Sequence, residues 1–266
     1  MKGIEAVIWD IDGTWYRKTV EYKPGHGSVQ TIHDFFRYNA WAQINKGKDA
    51  NKGKDAIEIA SDLVLMYNNL KRKGLKEAVD AIPESIRVPY DALVKKHGSN
   101  GKVYQNEFNL GSKYLHTNML QNIDFDYVLD KDQNLLDTFD ALKQFTLGII
   151  TSETYKTAES ICSAMDVDMD LFRLNTGDDY GILCSENIKQ KKPSLEPFQR
   201  MLEILDLNPE QVVYVGDVMN KDIEPSLSLG MNAIHVVWNG ENKPDQVNGK
   251  KYQQVSSPYE VAKILL

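Results

Sequence analysis

Three short apolar runs, each stopping at a polar or acidic residue, set the rhythm of this chain. Ala6-Val7-Ile8-Trp9 stops at Asp10, Leu147-Gly148-Ile149-Ile150 at Thr151, and Val212-Val213-Tyr214-Val215 at Gly216-Asp217. A fourth run, Ala233-Ile234-His235-Val236-Val237-Trp238, has the same character. Unbroken apolar runs of this length predict parallel strands buried on both faces rather than half-exposed ones. Between them the apolar spacing lengthens to three and four residues: Leu135, Leu136, Phe139 and Leu142 precede the Thr151 strand. Phe198, Met201, Leu202 and Leu205 precede the Val212 strand, and Ile223, Leu227 and Gly230 follow it. Strand–helix alternation predicts an α/β fold with a doubly wound, Rossmann-like parallel sheet. Ligands of such sheets sit beyond the carboxyl ends of the strands, which is where Asp10, Thr151 and Asp217 fall.

The rhythm lapses over residues 18–124, which read as helices. Val29, Ile32, Phe36 and Ala40 make one apolar stripe. Ile57, Ala60, Val64, Tyr67 and Leu70 make a second, expected to end near Gly74. Phe108, Leu115, Met119 and Leu120 suggest a third long helix. The expected organisation is an α/β core of residues 1–17 and 125–266 with an all-helical domain of residues 18–124 inserted into it. Within the insertion Asn45-Lys46-Gly47-Lys48-Asp49-Ala50 repeats at once as Asn51-Lys52-Gly53-Lys54-Asp55-Ala56. Two copies are too few for a repeat architecture, and the lysines and glycines suit a solvated connection between helices.

Charge narrows the function. The 266 residues hold 38 acidic and 31 basic side chains, a net charge of -7, where a phosphate-backbone binder carries the opposite imbalance. Nucleic acid is therefore not an expected partner. The opening residues Met1 to Val7 are too soon interrupted for a secretory apolar core, and no stretch approaches the length of a membrane span. The two cysteines, Cys162 and Cys184, lack metal-ligand spacing and read as reduced core residues of a cytoplasmic protein.

Four segments carry candidate chemistry. In Asp10-Ile11-Asp12-Gly13-Thr14, two carboxylates leave a strand end together, one able to attack phosphorus and one to handle protons; an acidic turn capping the strand explains them equally well. Gly216-Asp217-Val218-Met219-Asn220-Lys221-Asp222 offers two more carboxylates, as hard-cation ligands suited to Mg²⁺ or as helix caps. Thr151-Ser152 could hydrogen-bond a phosphoryl oxygen or cap the next helix. Lys192-Pro193 could balance the carboxylates or face solvent.

In register, the four resemble the haloacid dehalogenase-like (HAD) phosphohydrolase superfamily, over roughly the core half of the chain. The resemblance implies a Mg²⁺-dependent phosphatase of a small phosphomonoester. Asp10 would be the nucleophile that forms an aspartyl-phosphate and a metal ligand. Asp12 would be the acid/base, with its backbone carbonyl on the metal. Thr151, Ser152 and Lys192 would hold the phosphoryl group, Asp217 would ligate the metal, and Asp222 would support it. Asp12 speaks against a dehalogenase, because the superfamily's dehalogenases lack that residue. The insertion between Asp12 and Thr151 is similar to a helical cap at the family's first insertion point. A phosphomutase-like transferase and a non-catalytic phosphate-binding protein are the alternatives on the same scaffold.

The substrate is less legible. Asp124-Phe125-Asp126-Tyr127-Val128-Leu129 is faintly similar to the pyrimidine 5'-nucleotidase branch, and nucleoside monophosphates, sugar phosphates and phosphoglycolate all stay open. His26, His33, Tyr16, Arg17, Arg37 and Lys113 could each face the site or lie on the surface, and for any single one the surface is the expectation. Trp15 stands where the resembling family has a leucine, which predicts either an altered flap over the site or a packing variation.

Overall fold

The computed structural model describes residues 1–49, 55–71, 74–111, 113–174, 181–238 and 245–266. The chain divides into two compact units, residues 1–18 with 131–266, and residues 19–130.

The first unit is built on a six-stranded parallel sheet. Its strands are β1 (Ala6–Trp9), β2 (Thr146–Ile150), β3 (Ile182–Leu183), β4 (Val212–Gly216), β5 (Asn232–Val236) and, after a short antiparallel ribbon of β6 (Gln246–Val247) with β7 (Lys250–Lys251), β8 (Gln253–Val255). The order across the sheet is β3-β2-β1-β4-β5-β8, and every core pairing is parallel. The connections run outward from β1 in one direction and from β4 in the other, so the order reverses between these two neighbours, the place where such sheets bind ligands. Ala6 pairs with both Thr146 and Val212, and Trp9 with both Ile149 and Val215, so the three strand ends lie level.

Alternate residues of β1 face opposite sides of the sheet. Ile8 packs with Ile150, Phe198, Met201 and Tyr214 beneath helix α9 (Glu196–Leu205, numbered in chain order with the helices below). Trp9 meets Phe139 of α7 (Gln133–Ala141) edge-on at 5.4 Å between ring centres. Helices α8 (Tyr155–Ala164), α10 (Glu224–Ser228) and α11 (Val261–Leu265) complete the layers. Asp132 caps α7 and Thr154 caps α8, each accepting from backbone N–H groups of the first turn. Cys162 and Cys184 are buried and unbridged. Trp15 is fully buried, edge-on to Phe139 at 5.2 Å and stacked on Phe172 at 5.8 Å.

The second unit is helical: α1 (Val29–Asp49), α2 (Ala56–Leu70), α3 (Leu75–Asp80), α4 (Glu84–His97), α5 (Asn100–Phe108) and α6 (Tyr114–Asn118). Its core is aromatic, with Phe35, Phe36 and Tyr67 clustered between α1 and α2 and Tyr38, Tyr90 and Tyr104 between α1, α4 and α5. The second stripe is rotated from the expected one. Ile59, Ala60, Leu63 and Tyr67 are buried, whereas Ile57 is 62% exposed, because at 100° per residue Ile57 and Val64 fall on the flank of the face centred on Leu63 and Tyr67. The expected third long helix is two short ones. Asn109 takes a left-handed conformation at φ 54°, and the Leu110 N–H turns back to the Tyr104 carbonyl, closing α5 before Leu115 is reached. Asn45 and Lys46 of the tandem hexapeptide are exposed at the end of α1, and residues 50–54 of it lie outside the described residues. Among the described residues no helix is long and apolar enough to cross a membrane.

Candidate active site

Asp10 follows the last residue of β1 and continues its ladder, donating its N–H to the Val215 carbonyl at 2.8 Å. The chain then turns, with the N–H groups of Thr14 and Trp15 both donating to the Ile11 carbonyl at 3.0 Å. Gly13 sits in that turn at φ +97°, a conformation that side chains resist, and a Cβ there would stand 2.9 Å from the carboxyl carbon of Asp217. The Gly13 carbonyl accepts from the Trp238 indole N–H at 2.6 Å, which ties the turn to the end of the β5 segment.

A similar constraint shapes the loop after β4. A Cβ on Gly216 would lie 2.5 Å from the Asp222 Cβ, so only glycine lets the loop fold back this far. Asp222 is fully buried, and its Oδ2 accepts the Val218 N–H at 2.9 Å. The Asp217 carbonyl meets Nε2 of the buried His235 at 2.9 Å. Asp217 is not the helix cap that its context also allowed. Its Oδ1 is buried and has no hydrogen-bond partner among the described residues.

Lys192 is the centre of charge. Its side chain is 4% exposed, and its Nζ lies 2.7 Å from Asp10 Oδ1, 2.6 Å from Asp222 Oδ1 and 2.9 Å from the Tyr214 hydroxyl. The solvent-facing alternative for this lysine is thereby set aside. The Tyr214 hydroxyl in turn donates a hydrogen bond to the Ile150 carbonyl at 3.1 Å. Asp10, Asp217 and Asp222 each offer a carboxylate oxygen, all within 4.8 Å of one another.

Asp12 stands apart from that trio and is held by two donors. The Tyr16 hydroxyl donates to Oδ1 at 2.5 Å, and the Lys18 ammonium pairs with Oδ2 at 2.6 Å. Thr151 is buried, and its N–H is committed to the Leu183 carbonyl, which leaves the hydroxyl proton as its free donor; Thr151 Oγ1 accepts from the Glu153 N–H at 3.1 Å. It does not cap α8, which is the work of Thr154. Ser152 offers its carbonyl to Lys191 at 2.8 Å and is half-buried.

Burial pushes the Asp10 carboxyl up to about 7; Lys192 opposes the shift, and Asp222 and Asp217 add to it. Burial likewise pushes Asp217 up to about 6, against Lys18 and with Asp222 and Asp12. Burial disfavours the charged form of Lys192, yet Asp10 and Asp222 outweigh it and hold the ammonium well above its ordinary range. Carboxyls raised by burial and by each other, beside an oxygen with no partner, describe a site short of positive charge. An all-oxygen donor set of this kind suits a hard divalent cation such as Mg²⁺.

Sequence reasoning missed four residues here. Lys18 was placed at the start of the helical insertion, and Tyr214, Trp238 and His235 were read only as strand residues. Tyr16, for which the surface is the expectation, is 1% exposed and reaches Asp12 with its hydroxyl. Of the other five residues expected at the surface, Lys113 is exposed, whereas His26, His33, Arg17 and Arg37 are half-buried. His26 stacks on Tyr127 and Arg37 pairs with Asp34.

The family model of haloacid dehalogenase-like hydrolases matches residues 4–230. The chain belongs to that family. Among curated relatives, pyrophosphatase PpaX of Bacillus mycoides (strain KBAB4) is 25% identical over 135 residues, covering 50% of this chain and 55% of its own. The glyceraldehyde 3-phosphate phosphatase of Methanocaldococcus jannaschii is 39% identical over 56 residues, 21% of this chain and 25% of its own. The chain thus spans about half the length, or less, of these two HAD relatives. A HAD phosphatase from Thermococcus onnurineus shares the fold, with a TM-score of 0.57 at 17% identity over 98% of both chains. A predicted phosphoglycolate phosphatase from Haemophilus somnus 129pt does so with a TM-score of 0.51 at 16% identity over the whole of both chains.

Proposed function

We propose that this HAD-family hydrolase is a Mg²⁺-dependent phosphatase of small phosphate esters that works through an aspartyl-phosphate on Asp10. The observation that carries the reading is the Asp10 carboxylate at the switch point of the sheet, fixed by Lys192 at 2.7 Å and clustered within 4.8 Å of carboxylate oxygens of Asp217 and Asp222, with Asp217 Oδ1 lacking a partner among the described residues. Asp10, Asp217 and the Asp12 carbonyl would hold the ion. Asp222 would support it from behind, since both of its oxygens are already engaged. Bound Mg²⁺ would offset the negative charge of the carboxylates and of the phosphoryl group they receive.

In the first step an Asp10 oxygen attacks phosphorus as the ester P–O bond breaks, and the departing oxygen takes a proton from Asp12. In the second, water attacks the same phosphorus and gives its proton to Asp12, while Asp10 leaves as a carboxylate. Splitting hydrolysis in this way replaces one difficult displacement with two easier ones. Lys192 and the Thr151 hydroxyl orient the phosphoryl oxygens, so that positioning and charge supply most of the rate. The helical unit, inserted in sequence between Asp12 and Thr151, is assigned the role of a cap that selects the substrate. The buried, unbridged cysteines support a reducing, cytoplasmic setting.

The test is phosphate release from a panel of phosphomonoesters with and without Mg²⁺, using Asp10→Asn as the blank. Release that needs both the ion and Asp10 supports the reading. Transfer to a second alcohol without free phosphate would replace it with a transferase. Binding without any turnover would replace it with a phosphate-binding protein.

A further inference from the structure

Lys191 and Lys192 are consecutive, and their ammonium groups go to different parts of the site. Lys192 sits between the carboxylates of Asp10 and Asp222. The half-buried Lys191 instead donates to the Ser152 carbonyl, in the loop after β2, at 2.8 Å. Its own backbone is fixed by the Ser194 N–H, which donates to the Lys191 carbonyl at 3.1 Å. The loop that it meets is pinned on both sides by the chain that runs on from β3. The Thr151 N–H donates to the Leu183 carbonyl and the Ser185 N–H to the Glu153 carbonyl, each at 2.8 Å. The peptide between Ser152 and Glu153 lies outside that ladder. Its N–H donates to Thr151 Oγ1 at 3.1 Å, and its carbonyl accepts from Lys191. In a trans peptide these two groups point in opposite directions, so one plane is held at both ends by side chains. The ammonium makes the carbonyl bond a charge-assisted one, and it polarises the peptide so that its N–H donates more strongly.

We propose that Lys191 is a positioning residue for phosphoryl binding, which fixes the Thr151 hydroxyl as a donor by holding the Ser152–Glu153 peptide. This rests on the reading of Thr151 as a phosphoryl ligand. An N–H on Oγ1 takes one of the three staggered places about the Cβ–Oγ1 bond and leaves the hydroxyl proton the other two. It also fixes the Thr151 rotamer, since Oγ1 must stay beside the Glu153 N–H. Without Lys191 the peptide is free to rotate, and the hydroxyl is free to turn to a carbonyl of its own chain. A phosphoryl site depends on orientation set in advance, because position and charge are most of what a protein supplies to this chemistry. Lys192 cannot take this part, because its Nζ is already committed to Asp10, Asp222 and Tyr214.

The experiment measures binding of inorganic phosphate with Mg²⁺ by calorimetry in wild type, Lys191→Met, Lys191→Arg, Thr151→Val and the Lys191→Met/Thr151→Val pair. Thr151→Val is expected to weaken binding about tenfold and Lys191→Met about three- to tenfold. In the pair, Lys191→Met should add less than about twofold, because its effect runs through a hydroxyl that is already gone. Lys191→Arg should recover most of the loss, since a guanidinium can donate to the same carbonyl. Additive losses would make Lys191 a phosphate contact in its own right, and no loss in Lys191→Met would remove it from the site; either result overturns the proposal. A second arm reads the loop without phosphate or metal. Amide exchange followed by NMR should show the Glu153 N–H exchanging at least about fivefold faster in Lys191→Met and in Thr151→Val, while the Thr151 N–H keeps its wild-type rate. Equal acceleration of both amides would reduce Lys191 to general packing, and an unchanged Glu153 rate would show that it does not hold the peptide; each overturns the proposal. If the wild type binds no phosphate, the phosphatase reading falls by that result alone, and the exchange arm still decides whether Lys191 holds the loop.

Discussion

Gly13 and Asp217 approach so closely that the turn after β1 has no room for a side chain: a Cβ on Gly13 would stand 2.9 Å from the Asp217 carboxyl carbon. The Asp12 turn and the Asp217 loop are therefore set against each other through a hydrogen atom. Gly13→Ala should cost about 1–2 kcal/mol from its positive φ alone. It should also push Asp217 aside and weaken Mg²⁺ binding at least about tenfold by calorimetry, in a protein that still folds by circular dichroism. Unchanged ion affinity would mean that Asp217 does not hold the cation.

Lys192 compensates two buried carboxylates at once. Lys192→Met should lower stability by about 3–5 kcal/mol in denaturant titrations, because it leaves two buried carboxylates, Asp10 and Asp222, without their counter-charge. Adding Asp222→Asn should recover part of that loss, since an amide needs no counter-charge and its carbonyl can still accept the Val218 N–H. Phosphate release should be absent from both. A double variant no more stable than the single one would show that Asp222 is not the residue Lys192 compensates.

Asp217 gives a pH signature. Its carboxyl is ionised above about 4 in the unfolded chain but keeps its proton up to about 6 in the metal-free fold. Between those values the folded state binds the extra proton, so stability falls as pH rises, and above about 6 the cost of the buried charge is fully present. Asp217→Asn should therefore stabilise the metal-free protein at pH 8 by about 1–3 kcal/mol and leave it unchanged near pH 4. Mg²⁺ binding to the wild type should tighten from pH 6 to pH 8 and release protons, which calorimetry in buffers of different ionisation heat would read.

Trp15 tests whether the first turn is built for packing or for gating. Trp15→Leu removes a ring held between Phe139 and Phe172 and should cost about 2–4 kcal/mol, read as a lower Tm. The loss should lie at the low end, because the buried indole N–H has no partner among the described residues. KM should not move. A change in KM at constant Tm would assign Trp15 to the flap.

The sheet was legible because parallel strands buried on both faces leave unbroken apolar runs, and each run ended at a residue that the fold brings to the site. What stayed hidden depends on long reach or on local backbone. Tyr214 counts as apolar in a strand pattern, yet its hydroxyl serves Lys192, a contact that spans 22 residues. Lys18 lies in no motif, and only the turn at Gly13 brings it back to Asp12. Asn109 looks like any polar residue of a helix, but its left-handed φ divides α5 from α6. Tyrosine suits surface and core alike, so nothing local in the sequence told that the Tyr16 ring would be buried with its hydroxyl on Asp12.

The place of β1 in the middle of the sheet also governs how the protein comes into being during synthesis. Its four residues leave the ribosome well before either of their neighbours in the sheet, Thr146–Ile149 and Val212–Val215. An apolar strand with two empty edges must wait for more than two hundred residues of chain, and such exposure invites association with other chains. The helical unit, whose residues 19–130 are contiguous, can form its contacts in the meantime. Asp10 is therefore made long before the residues that surround it, so a ribosome stalled before Val212 would display the Asp10 carboxylate with neither Asp222 nor the Asp217 loop beside it.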